Sequence, residues 1–194
     1  MNGILNEMYN YLIEIINGSS IYGPLLACLL IFFESIIPIL PLFVFITILF
    51  VAYGYFWGFI VSYILTCLGC MFSFFLFRKI LRKAVDNKFR KNNKFNKIMK
   101  IIDNIDTNEL VLLIAIPFTP AFLINIAAGL SKIKLKKYFV SLLIGKISLV
   151  AFWGFIGTSL LESLKNPKIM LIIISMLLVS YLVSKVITKK FKIE

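Results

Sequence analysis

The sequence predicts an all-α polytopic membrane protein. Two inverted, Pro-broken re-entrant hairpins are each followed by a transmembrane helix, and a further transmembrane helix closes the chain. Three observations lead there. First, 60% of the 194 residues are hydrophobic and 15% are charged, where an ordinary globular domain carries about 25% charged residues. With a mean hydropathy of +0.95, a soluble fold of this length has too little interior to hide its apolar side chains. Second, the net charge of +12 is unevenly distributed. Residues 1–77 hold Glu7, Glu14 and Glu34 and no base, hence −3; residues 78–194 hold all 21 basic residues and the other six acids, hence +15. Third, two apolar stretches are interrupted by the same proline spacing, Pro38-Ile39-Leu40-Pro41 and Pro117-Phe118-Thr119-Pro120.

Residues 1–20 read as an outside-facing segment. They lack the positive n-region and small-residue cleavage site of a secretory leader. Residues 21–160 read as the membrane domain. Ile21 to Phe77 contains one charge, Glu34, in 57 residues, roughly 85 Å of helix and nearly three crossings of a ~30 Å hydrocarbon core. The prolines assign 25–50 to a re-entrant hairpin, and the run past Gly54 and Gly58 to a span over 52–77. Residues 78–109 form a cytoplasmic segment in which Arg78, Lys79, Arg82 and Lys83 open a series of bases interleaved with apolar residues. That pattern suits an amphipathic helix on an anionic lipid surface, or a topological anchor. Residues 110–131, broken by Pro117, Pro120 and Gly129, form the second re-entrant hairpin; 138–160 is a span, and 161–194 supplies the last span and a basic tail.

The positive-inside rule selects this arrangement. If every apolar stretch crossed, the four lysines of 132–137 and the four of 185–194 would lie opposite the ten bases of 78–109. If 110–131 enters and leaves on one side, all three clusters are cytoplasmic. The same logic makes 25–50 a hairpin entering from outside. Pro-broken inverted repeats that meet near the midplane are a transporter signature, and non-helical backbone at that depth must be buried in protein or line a wet cavity.

Composition also excludes chemistry. The chain has no histidine, which removes Ser-His-Asp and Cys-His catalysis and His-ligated metals. It shows no phosphate-binding glycine loop or dinucleotide fingerprint. Cys28, Cys67 and Cys70 lie in apolar sequence, and Cys67-Leu68-Gly69-Cys70 lacks a second ligand pair, so structural thiols are expected rather than a metal or redox site. No enzyme activity, cofactor, metal or nucleic-acid partner is expected.

Four polar residues stand out as a proton or headgroup site: Glu34, Lys146, Asn125 and Thr119. A carboxylate at membrane depth is costly, so Glu34 must face water, meet a cation or be protonated part of the time; its bland alternative is snorkelling at the outer interface. Lys146, the one base within a span, could pair with Glu34, contact a phosphate, or snorkel to the cytoplasmic face. Asn125, Thr119 and Thr47 could bind anions at broken helix ends, or satisfy backbone groups freed by the prolines.

Two stretches resemble the DedA superfamily, also called the VTT or SNARE-associated Golgi protein domain, in its branch of small bacterial inner-membrane proteins. They are Phe33-Glu34-Ser35-Ile36-Ile37-Pro38-Ile39-Leu40-Pro41 with the later Gly54, and Ile116-Pro117-Phe118-Thr119-Pro120-Ala121-Phe122-Leu123-Ile124-Asn125-Ile126-Ala127-Ala128-Gly129-Leu130. The resemblance covers roughly residues 25–160. It implies two facing re-entrant hairpins and the movement of phospholipids or polyprenyl-phosphate carriers across bilayers, by a flippase or scramblase, in some members coupled to protons. It also matches Glu34 to the family's acidic residue before the hairpin prolines, and Asn125 and Gly129 to the end of the second hairpin. Many relatives carry an arginine where this chain has Ile114; Lys146 is a candidate replacement. The resulting expectation is a lipid transporter of the bacterial cytoplasmic membrane, N-terminus outside and C-terminus inside, with membrane lipids and protons as partners and a homo-oligomer compatible with the pattern. The alternatives are a non-transporting membrane-organising or assembly factor and a proton-coupled small-solute transporter.

Overall fold

The computed structural model describes residues 22–37, 40–82, 93–119, 121–163 and 167–190. Pro38, Lys83 and Pro120, and the segment 1–20, lie outside the described residues. Among those described, every regular element is helical. Three helices are long and apolar enough to cross a membrane: Leu42–Ile80, Leu135–Leu160 and Lys168–Lys189.

Helix α1 (Tyr22–Glu34) has 13 residues, about 20 Å, short of the ~20 residues a crossing needs. It closes on its own end: the amides of Ile36 and Ile37 both donate to the Phe33 carbonyl, at 3.0 and 2.9 Å. After Pro41, α2 (Leu42–Phe75) runs for 34 residues, but Gly54 inside it has φ 74° and ψ 174°. That region of backbone space is open to glycine almost alone. Residues eight apart on a straight helix are ~12 Å apart. A Cβ on Gly58 would lie 2.6 Å from Phe50 Cα, so the chain reverses at Gly54 and the limb 42–53 returns along the limb that follows. Gly69 packs as tightly on the last turn of α1, where a Cβ would lie 2.4 Å from the Phe32 carbonyl oxygen. The turn after α1 is therefore level with Gly69, well inside α2. Beyond Phe75 the chain continues as a π-helical segment, Leu76–Leu81.

Helix α3 (Asn93–Asn104) leads into α4 (Thr107–Ala115). A capping box starts α4, with Asp106 and Glu109 each bonding the other's backbone N–H, which satisfies two otherwise orphaned donors. This cap begins the helix three residues before the apolar stretch at Leu110. A turn holding Phe118 at φ 67° joins α4 to α5 (Ala121–Leu130). Helices α6 (Leu135–Ser163) and α7 (Pro167–Lys190) complete the chain. They outrun the apolar runs 138–160 and 169–184 because helix geometry continues until capping or proline stops it.

The centre of the fold is α6, against which α2, α4 and α7 all pack. Helix α4 lies alongside it in the same direction: Ser141 donates to the Thr107 carbonyl at 3.2 Å, Ile114 touches Gly145, and the Phe118 ring lies 5.4 Å from Trp153. Helix α5 then returns along α2, with Gly129 pressed onto Phe74 and Phe77. At the far end of α6, Gly154 and Gly157 receive the Phe50 ring and Thr47. Only 11% of the α7 span is buried, leaving the rest for lipid.

Two glycine substitutions test the two tight points. Gly54→Ala has open space around it yet should cost about 1–3 kcal/mol from backbone conformation alone. Gly69→Val, pushed against a backbone carbonyl, should cost about 1–3 kcal/mol through overpacking. Thermal unfolding in detergent reads both; a Gly54→Ala protein as stable as the parent would contradict a reversal at that residue.

Candidate functional site

Lys146 sits near the middle of the α6 span, about 16 Å of helical rise from Leu135. It is 1% exposed, so it does not snorkel. Its Nζ makes no geometrically regular hydrogen bond, with only the Cys70 thiol within reach, although burial of an ammonium is expensive unless it is paired. The nearby ionisable groups are the Glu34 carboxylate and the thiols of Cys67 and Cys70, all within electrostatic reach. Glu34 ends α1 and is partly buried, and it feels Lys146 in turn. The turn after α1 is level with Gly69, so Glu34 arrives beside Cys70 rather than at an interface. Local sequence explains each placement: α1 delivers Glu34 where it terminates, and Lys146 shares one face of α6 with Val150, Trp153 and Gly157, at spacings of four, seven and eleven.

Asn125 belongs to the same cluster through Cys70. It is 2% exposed; its Nδ2 donates to Cys70 Sγ at 3.3 Å, and its Oδ1 accepts from the Tyr138 hydroxyl at 2.8 Å. Asn125 thus ties α5 to α2 and α6 instead of repairing backbone near the prolines. Thr47 donates to the Phe43 carbonyl one turn back at 2.7 Å. Thr119 lies buried in the α4–α5 turn with its Oγ1 unpartnered, and no hydrogen bond joins it to Glu34, Lys146 or Asn125. The structure therefore brings together Glu34, Lys146 and, through a thiol, Asn125.

The cytoplasmic-surface residues of the sequence reading divide. Lys79 is exposed. Arg78 turns inward: its guanidinium donates to the carbonyls of Gly129 at 3.3 Å, Ala128 at 3.1 Å, and Ser131 and Ile133 at 2.9 Å. It also lies 4.3 Å from the Phe74 ring centroid. The last carbonyls of a helix have no intrahelical partner, and Arg78 fills that need for α5. A basic residue following an apolar span gives no sign in sequence of which way it points; the landing of α5 on α2 at Gly129 decides it. Pro41 is exposed and Pro117 buried, each flanking its turn.

Three participants escaped the sequence reading. Tyr138, fully buried and stacked on Phe74 at 4.5 Å, holds Asn125. Cys70 lies between Asn125 and Lys146. Trp153 contacts both turn regions, 5.7 Å from Phe43 and 5.4 Å from Phe118. The two tryptophans have different surroundings: Trp57 is 61% exposed, and Trp153 lies between helices.

A double-mutant cycle measures the central couple. Lys146→Met and Glu34→Gln should each destabilise, since each strands the other charge. The double variant should recover part of the loss, with a coupling of about 0.5–3 kcal/mol. Additive losses in denaturation midpoints would show that the two groups act separately.

A family profile for the VTT domain matches residues 37–159. The chain is also similar to a Bacillus subtilis (strain 168) protein, "Uncharacterized membrane protein YhjE", at 29% identity over 157 residues, covering 81% of this chain and 76% of that one. No solved structure matches. The profile begins just after Glu34, at the end of the first turn, and covers the limb 42–53, the second broken segment and most of α6, including Lys146. The chain is a membrane protein and belongs to the VTT-domain family, the DedA superfamily of the sequence resemblance.

Proposed function

We propose that this protein moves lipid headgroups across the bacterial cytoplasmic membrane, as a flippase or scramblase of phospholipids or polyprenyl phosphates. The two broken segments act as re-entrant hairpins entering from opposite faces. The first enters from outside as α1 and returns as the limb 42–53; the second enters from the cytoplasm as α4 and returns as α5. Supporting this, the turn after α1 lies level with Gly69, while the turn after α4 lies level with Trp153, so the segments overlap in depth while approaching from opposite ends of α2 and α6. The charge distribution orients them: the basic-free N-terminal third outside, the lysine-rich connections and C-terminus inside.

The observation that carries the reading is the Lys146 Nζ, buried at mid-span with no geometrically regular hydrogen bond, only the weakly accepting Cys70 thiol within reach, and a carboxylate in its field. A structural lysine would be expected to have a partner, because leaving a buried charge unpaired costs stability. A transport site needs such a group free to receive and release an anion. Phosphate oxygens would accept from Nζ in a charge-assisted bond while the acyl tails stay in lipid. Glu34 competes for the same ammonium, so a headgroup can be released by returning Lys146 to Glu34, and a proton taken up by Glu34 would bias that exchange. No covalent bond is made or broken in this scheme.

Reconstitution tests it: a headgroup-resolved lipid-transport measurement in vesicles, with and without a pH gradient. Lys146→Met should lower exchange by about tenfold or more, the worth of one charged hydrogen bond. Glu34→Gln should remove the response to the gradient. Unchanged exchange in a folded Lys146→Met protein discards the site. For topology, single cysteines at Lys134 and Lys168 should label from opposite sides of the membrane; labelling from one side would sink the re-entrant arrangement.

A further inference from the structure

We propose that the aromatic cleft formed by Phe43, Phe118 and Trp153 seats an acyl chain of an anionic glycerophospholipid whose phosphate accepts from Lys146, making this cleft the lateral entrance to the site. The proposal rests on the lipid-transport reading and names where the lipid enters and which part of it is gripped.

Trp153 is the point on which both turn regions converge. Phe43 opens the limb that follows the first turn, and Phe118 occupies the second; their rings lie 5.7 and 5.4 Å from the indole. Phe118 also edges Tyr181 of α7 at 6.2 Å. The rings are not sealed: Phe43 is 37%, Phe118 46% and Tyr181 53% exposed. In a bilayer the exposed faces of these rings border acyl chains, so the cleft here is the shallow, laterally open face that the three contacting rings present. Phe118 holds its ring there with a backbone φ of 67°, a conformation that a bulky residue rarely keeps without a constraint from its surroundings.

The charge supplies the second half of the argument. Lys146 and Trp153 are seven residues apart on α6, about two turns and ~10 Å along the same face. A lipid with an acyl chain against the indole can place its phosphate near Lys146, because headgroup and upper chain are joined over a comparable length. Lys146 Nζ is buried with no regular hydrogen bond and only the Cys70 thiol within reach, and an ammonium has three donors, so a phosphate can compete with Glu34 for it. The cleft alone would hold any chain; the ammonium selects an anionic one.

The two tryptophans make the test direct. In Trp57→Phe, Trp153 is the sole tryptophan. The full chain is reconstituted in phosphatidylcholine vesicles containing phosphatidylglycerol with dibrominated acyl chains, which quench indole on contact. Trp153 should be quenched more than random mixing allows, with about a tenfold preference over brominated phosphatidylcholine, as one charged hydrogen bond supplies. The preference should vanish in Lys146→Met and in Phe118→Gly, a substitution that suits the left-handed backbone while removing the ring. In Trp153→Phe, the remaining Trp57 should follow random mixing. Random-mixing quenching of Trp153 in the parent overturns the proposal, as does a preference that survives both substitutions. Lipid transport with random-mixing quenching discards the seat alone; a Lys146-dependent preference without transport keeps the seat and discards the transport reading.

Discussion

Backbone that leaves the helical pattern inside a membrane protein exposes amides and carbonyls that hydrocarbon cannot solvate, and the rest of this structure is arranged around that constraint. The chain breaks at the turn after α1, at Gly54, and between α4 and α5. The first turn, the limb after Pro41 and the end of the second segment are each backed by protein. The turn after α1 rests on Gly69, the reversal at Gly54 brings Phe50 onto Gly58, and the end of α5 is received by Arg78, whose guanidinium serves four carbonyls. Close approach is possible because glycine stands at nearly every contact: Gly58, Gly69, Gly129, Gly145, Gly154 and Gly157 each abut another segment at distances a Cβ would not tolerate. Helix association in lipid lacks the hydrophobic drive it has in water and depends on this packing by small residues.

Burying the breaks also buries the polar groups beside them. Glu34 ends the helix before the first turn, and Asn125 lies one turn into the helix after the second. Once both segments pack on α2 and α6, these groups come to the interior around Cys70 and Lys146. Most of the cluster is satisfied: Tyr138 serves Asn125, and Asn125 serves Cys70. Lys146 Nζ has no regular hydrogen bond. In a buried network, a satisfied group rigidifies and an unsatisfied one marks a place where something else can bind.

Much of this was legible from particular residues. The P-x-x-P pairs at Pro38 and Pro117 located the breaks, and Glu34 and Lys146 were visible as isolated charges in apolar runs. The outcome for Lys146 was not legible, because a lysine at that position can snorkel or turn inward, and the choice depends on what covers its face of α6. Arg78 shows the same limit: it follows an apolar run as an anchoring base would, yet the end of α5 draws it inward. Tyr138, Cys70 and Trp153 carry no sequence signal of their role, since aromatic and sulfur residues in apolar helices usually pack.

By itself, the sequence determined that the chain is helical and membrane-embedded, where its apolar stretches break, and that its bases gather in three clusters after residue 77. Composition, proline chemistry and charge partition act locally and need no partner to take effect. The tertiary structure decided which polar groups meet. Glu34 and Lys146 are 112 positions apart in the chain, and Asn125 and Cys70 are 55. Only the packing of two broken segments onto α2 and α6 brings groups so distant in sequence into one low-dielectric interior, where their charges and hydrogen bonds act on each other.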